Sequence, residues 1–164
     1  MPGPHTLAET EREVEKRLGK LPIDYSSMAV ASNLFRAANA VRNHLERTVL
    51  SENDLSWTAF VVLWVTWIWE PIETRQIALE GGFSKATLTG VLSTLERRGW
   101  VKRERSTTDG RLVLVRMTHG GRELMTRLFP AFNKQEQHVA SPVDSSKRDG
   151  LAEMLRLITA NVER

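Results

Sequence analysis

Between Gly99 and Gly121 the chain carries two short β-prone runs, Trp100–Arg105 and Leu112–Met117. They flank a loop containing Asp109-Gly110, a favoured hairpin dipeptide. The hairpin and its loop hold Lys102, Arg103, Arg105, Arg111 and Arg116, opposed by Glu104 and Asp109 alone. Two readings of such a hairpin are open. It lies along a nucleic-acid backbone and pushes one arginine into a minor groove, where the negative potential is deepest. Or it is a solvated hairpin whose edge cations deter aggregation.

Composition narrows the field around it. A length of 164 residues suits one domain, or one domain with helical extensions. Lys and Arg number 23 against 20 Asp and Glu, so clustering of charge, not its total, carries any nucleic-acid argument. The chain has no cysteine. That excludes disulfides, a thiolate nucleophile, cysteine-ligated zinc and a thiol sensor. The opening residues lack a basic-then-apolar signal pattern, which points to the cytoplasm. The most apolar stretch, Trp57–Trp69, is shorter than the roughly 20 residues a membrane-spanning helix needs.

Periodicity and breakers predict a mainly α chain with a small β-hairpin. Residues 1–25 read as an N-terminal extension, frayed at Pro2 and Gly3, then a short helix that Leu21-Pro22 ends. A long helix is expected from Ser26 or Ser27 to about Leu50, with Leu34, Ala38, Val41, Leu45 and Val49 at helical spacing. Ser51 to Asp54 reads as a turn able to cap the next helix. Trp57–Trp69 is apolar on nearly every side and is expected to be the central buried helix, ended by Glu70-Pro71. A short helix over Ile72–Glu80 closes at Gly81-Gly82. Ser84 then caps a helix from Lys85 to Arg98 with Leu88, Val91, Leu92 and Leu95 inward. Helix, glycine turn, helix and hairpin in that order make a winged helix-turn-helix over residues 55–117.

After Thr118 a helix is expected to about Val139, bent or locally unravelled at Pro130. A last helix starts at Ser141-Pro142 with Leu151, Met154 or Leu155, Ile158 and Val162 as its stripe. Residues 26–54 and 118–164 thus form a helical region whose apolar faces exceed what so small a winged domain covers. A second copy of the chain is the expected cover, giving a homodimer with N- and C-terminal dimerisation helices.

Asp109 and Arg111, followed by Val115, Met117-Thr118 and Gly121, resemble the wing of the MarR family of bacterial transcriptional regulators and the start of its next helix. Leu95 to Val101 is similar to that family's junction between recognition helix and wing, with Trp100 where leucine is usual. Residues 84–90 stand where the recognition helix begins, and Gly90 departs from the family's more polar choice. The resemblance spans Ser26 to Val162. It implies a DNA-binding regulator, most simply a repressor, on a pseudo-palindromic double-stranded operator.

The first turn of a recognition helix points toward the bases, so Ser84, Lys85, Thr87 and Thr89 are the candidate readers of edges or phosphates. For Ser84 a plain helix cap is the competing role. Arg111 is the candidate for minor-groove insertion, with Asp109 orienting its guanidinium. Arg97, Arg98, Lys102, Arg103 and Arg105 read as phosphate contacts or solvated charges. The resemblance also implies a small aromatic, phenolic or carboxylate effector; Arg36, Asn39, Asn43, His44 and Trp57 are its candidate lining. An arginine beside an aromatic surface suits a carboxylate on a ring, although tryptophans at helical spacing also serve as core.

No nucleophile–base pair, carboxylate pair or phosphate loop occurs at a recognisable spacing, so no catalytic residue and no cofactor is expected. His5, His44, His119 and His138 form no short metal spacing. The alternative to a DNA-binding regulator is a winged-helix protein-interaction module whose basic hairpin is incidental.

Overall fold

The computed structural model describes residues 4–163; the frayed opening expected at Pro2 and Gly3 lies outside them. The chain forms two compact units, one up to Asn43 and one from His44 onward.

In the first unit, α1 (Leu7–Leu18) is closed by a capping box: Thr6 Oγ1 accepts the Glu9 N–H, and the Glu9 carboxylate accepts the Thr6 N–H. The chain leaves the helix before Pro22, as the proline predicts. It re-enters α2 (Tyr25–Leu45), whose first turn is held by Asp24. Hydrogen bonds from Ser27, then Ser26, lower the Asp24 carboxyl to about 2. Asn33 Nδ2 donates to Glu11 at 2.6 Å and joins the two helices. Along the expected stripe Leu34 is only half-buried and Ala38 is exposed.

In the second unit the chain passes through a π-helical turn (Glu46–Leu50) and a 3₁₀ turn (Ser51–Asn53) before α3 (Trp57–Trp69). Ser56, not the Ser51–Asp54 turn, supplies the α3 cap by accepting the Ala59 N–H. Glu46 adds a second acceptor there, taking the Trp57 N–H at 2.7 Å. α3 is central: Phe60, Val62, Leu63, Val65 and Thr66 are buried. The Thr66 hydroxyl is satisfied by the Val62 carbonyl at 2.7 Å. Burial all round does not hold at its end, where Trp69 is 64% exposed.

The expected helix over Ile72–Glu80 is corrected at its start. Ile72–Glu73 is a strand, β1, and α4 (Thr74–Gly81) begins after it. α4 ends on Gly82 at φ +64, the left-handed conformation in which glycine carries no Cβ penalty. α5 (Lys85–Arg97) is capped by Ser84 and buries Leu88, Leu92 and Leu95, while Val91 is half-buried.

β2 (Val101–Arg105) and β3 (Val113–Met117) follow, in a three-stranded antiparallel sheet of order β1-β3-β2. The register pairs Ile72 with Val115 and Val101 with Met117. α6 (His119–Ala140) runs on through Pro130 and sets Leu124, Met125, Leu128 and Phe132 into the core. Pro130 itself is exposed, where the missing N–H costs least. α7 (Ser145–Val162) is capped by Asp144 and therefore starts later than Ser141-Pro142. None of its residues is buried: Leu151, Met154, Leu155 and Val162 stand exposed and Ile158 half so. Among the described residues no helix is long and apolar enough to cross a membrane.

Candidate nucleic-acid interface

α5 presents its first turn outward because Leu88, Leu92 and Leu95 turn the opposite face into the core. Ser84 Oγ accepts the Thr87 N–H at 3.1 Å and lies 2.8 Å from Thr87 Oγ1. Ser84 is thus a helix cap, and both hydroxyls are already engaged with each other. Thr89 is exposed, and its Oγ1 donates to the Lys85 carbonyl at 2.8 Å, a back-bond within the helix. Lys85 is exposed and pairs with no acid among the described residues. Nothing stands within 4 Å of a Cβ added at Gly90, so the glycine meets no internal packing demand.

The wing loop is closed by side chains more than by its glycine. Ser106 Oγ accepts the N–H groups of Thr108 and Asp109 at 3.3 and 3.2 Å. Backbone bonds join Ser106 to Leu112 and Leu112 to Asp109. Gly110 does not adopt a left-handed conformation, so the Asp-Gly pair does not make the tight two-residue turn its sequence suggests. Asp109 Oδ1 accepts the Arg111 backbone N–H at 3.0 Å. This corrects the expected pairing of that carboxylate with the Arg111 guanidinium. Asp109 shapes the loop, and the exposed guanidinium has no acidic partner among the described residues.

The other cations divide sharply. Arg103 donates to Glu96 from its backbone N–H and from its guanidinium, at 2.8, 2.9 and 2.5 Å. The Arg103 hydrogen bond holds the Glu96 carboxyl below the usual carboxylate range. This strap between α5 and β2 therefore persists through neutral pH and is lost as acid protonates Glu96 below that range. Glu104 binds Arg116 and, at 3.4 Å, Lys102. Arg98 donates to the carbonyls of Asp54 and Asn53 at 2.8 and 3.0 Å, with its guanidinium 3.8 Å from the Trp100 ring centroid. Arg98 and Arg103 are thus engaged as straps within the chain, not the phosphate contacts or solvated charges expected of them, whereas Lys102, its side chain 57% exposed, keeps the solvated character expected of it. Arg97 and Arg105 remain exposed and unpaired among the described residues.

A groove of about 560 Å³ runs between α5, α4 and the wing, with Arg75, Lys85, Thr89, Arg103 and Arg111 among its lining residues and Glu73 its one carboxylate. It brings expected contacts of the recognition helix and of the wing to one surface.

Two joints at the wing root escaped the sequence reading. A Cβ on Gly121 would lie 2.0 Å from the Trp100 carbonyl oxygen, so only glycine permits α6 to approach the turn between α5 and β2 this closely. Glu70, read only as a helix end, accepts the Met117 N–H and the Arg122 guanidinium.

Of the expected effector lining, Arg36 is exposed on α2, Asn39 donates to the Phe35 carbonyl at 2.9 Å, and Asn43 is exposed on the same helix. In the second unit His44 and Trp57 both meet α6. His44 Nε2 lies 2.9 Å from Gln135 Oε1, and its ring stacks 5.4 Å from His138. The Trp57 ring stands 6.1 Å from Phe60 and 6.5 Å from Phe132. Among the described residues no group of three or more His, Asp or Glu is arranged to hold a metal ion.

Comparison with known proteins bears on this arrangement. A model described as "MarR family" matches residues 55–113. The HTH-type transcriptional regulator YwaE of Bacillus subtilis, itself uncharacterised, is 33% identical over 159 residues, covering 95% of this chain and 93% of its own. Among solved structures, Sco3205 of Streptomyces coelicolor, a MarR family regulator in complex with DNA, superposes with a TM-score of 0.77 at 18% identity. That superposition covers 87% of this chain and 91% of Sco3205. BpsR of Bordetella bronchiseptica, whose DNA binding is regulated by 6-hydroxynicotinic acid, gives a TM-score of 0.72 at 23% identity. It covers 79% of this chain and 98% of BpsR. These two likenesses show the winged helix fold.

Proposed function

The chain belongs to the MarR family of transcriptional regulators, which are not enzymes, and on that premise we propose that it represses transcription as a homodimer on a pseudo-palindromic operator. The observation that carries this reading is the groove shared by Lys85, Thr89 and Arg111. An α-helix enters a major groove while a wing arginine reaches the adjoining minor groove, and here both elements offer unpaired cations to one side. Ser84 and Thr87 cap and order the helix end, Arg105 adds a backbone contact, and Asp109 holds the loop that displays Arg111. Selection of bound sequences from random duplex DNA tests this. Recovery of a two-fold symmetric site supports it; no enrichment over input would leave a winged-helix protein-interaction module. A regulator on chromosomal DNA works in the cytoplasm.

Dimerisation rests on α7, whose Leu151, Met154, Leu155 and Val162 stand exposed among the described residues. Deleting Ser141–Arg164 should strip the partner surface and leave aggregate or unstable monomer. Sedimentation of the full chain at micromolar concentration should give a dimer. A well-folded monomer there contradicts the assignment.

The effector in this reading is a small aromatic acid at the aromatic surface where His44 and Trp57 meet α6. The regulation of BpsR by 6-hydroxynicotinic acid supports that chemistry. A ligand favouring a DNA-incompetent spacing of the two lobes by about 1–3 kcal/mol lowers operator affinity about 5- to 150-fold. In Trp57→Phe and His44→Ala that response should shrink while affinity without ligand is retained. A broad panel of phenolic and aromatic acids that neither binds nor shifts operator affinity removes the effector from the reading.

A further inference from the structure

We propose that Glu70 is a positioning residue for DNA binding, a sheltered tether that fixes the root of the wing to the first turn of α6. The inference rests on the regulator reading and adds to it how the wing is aimed.

Continuing the β1–β3 register by two pairs beyond Ile72 and Val115 sets Glu70 opposite Met117. Pro71 intervenes, and it is the Glu70 side chain, not its backbone, that meets the strand. Oε2 accepts the Met117 N–H at 2.7 Å, and Met117 is 1% exposed, so this donor is closed off from water. Oε1 accepts Arg122 Nε at 2.9 Å and Nη2 at 2.7 Å. The Glu70 side chain is 16% exposed, which shields this pair more than an ordinary surface ion pair.

One carboxylate therefore joins three elements: the end of α3, the last residue of β3 and the first turn of α6. From Met117 the strand runs straight back to Val113, and two residues further on stands Arg111. A hairpin anchored at one end turns with its anchor, so Met117 sets the direction in which Arg111 points. α6 carries Arg122 at one end and Phe132 in the core beyond it. A rotation of α6 is thus felt at the wing through Glu70, whose polar partners Met117 and Arg122 lie outside the groove lining.

The test is a double-mutant cycle on affinity of the full-length protein for its selected duplex, using wild type, Glu70→Ala, Arg111→Ala and the double variant. Glu70→Ala should weaken binding at least 10-fold, and the penalty for Arg111→Ala should fall at least 3-fold in that background, because an untethered wing no longer delivers the arginine. A purely structural Glu70 would leave the Arg111→Ala penalty unchanged, and that additive result overturns the proposal. Arg122→Ala leaves the Met117 acceptor in place and should reproduce the coupling in weaker form, which keeps the test available if Glu70→Ala does not fold. Amide exchange at Met117, read without DNA, should accelerate in Glu70→Ala and not in Arg111→Ala; unchanged exchange also overturns the tether. If wild type binds no selected duplex while Met117 exchange accelerates, the regulator reading has failed, taking the DNA role of Glu70 with it and leaving the tether.

Discussion

Arg111→Ala should weaken operator binding by about 2–6 kcal/mol per dimer, since a specific arginine contact is worth about 1–3 kcal/mol and a dimer has two wings. That is at least 30-fold in dissociation constant at the lower bound. The substitution removes an exposed side chain with no acidic partner among the described residues, so thermal stability should stay near wild type. The loop survives because Asp109 binds the Arg111 backbone N–H, which alanine retains. Arg103→Ala makes the contrast. It breaks the strap to Glu96 and should lower stability as well as affinity. Sequence preference in Arg111→Ala should relax only at the minor-groove position the wing enters and stay unchanged over most of the site, whereas Lys85→Ala should relax it at positions read by the helix. Arg111→Ala binding like wild type, with the fold intact, removes the wing from the interface.

What the sequence made legible was local. The Ser84 cap and the Leu88, Leu92 and Leu95 spacing together specify α5, because a hydroxyl three residues before an orphan N–H and a 3.6-residue stripe are both short-range signals. The hairpin strands and α6 were legible for the same reason. β1 was not: two residues have no periodicity, and Ile72-Glu73 is a strand only because Leu114 and Val115 lie beside it. The family resemblance suggested which residues stand at the interface, but not which cations are free. Arg98 and Arg103 look alike in sequence to Arg97 and Arg105, yet their partners lie up to 45 residues away in the case of Asn53. Glu70 reaches Met117 across 47 residues. The small-residue need at Gly121 likewise arises from the Trp100 carbonyl, which no local pattern indicates. Pairing chemistry of this kind is decided by the tertiary fold, and here it corrected both the cation inventory and the role of Asp109.

The titration of affinity against salt, on a duplex recovered by selection, decides whether this surface is a DNA interface. Each winged lobe is read as making roughly 4–5 phosphate contacts, so a dimer neutralises about 8–10 and releases the counterions condensed on them. The slope of log affinity against log salt should then lie near −7 to −9, a loss of about 10⁴–10⁵ between 50 and 200 mM salt. The net charge of +3 cannot produce this by diffuse attraction alone, so the steepness reports the exposed cations without an acidic partner among the described residues at Arg75, Lys85, Arg97, Arg105 and Arg111. Arg111→Ala should make the slope shallower by about 2 per dimer. A slope near zero, or no duplex bound even at low salt, contradicts the assignment of this face to DNA.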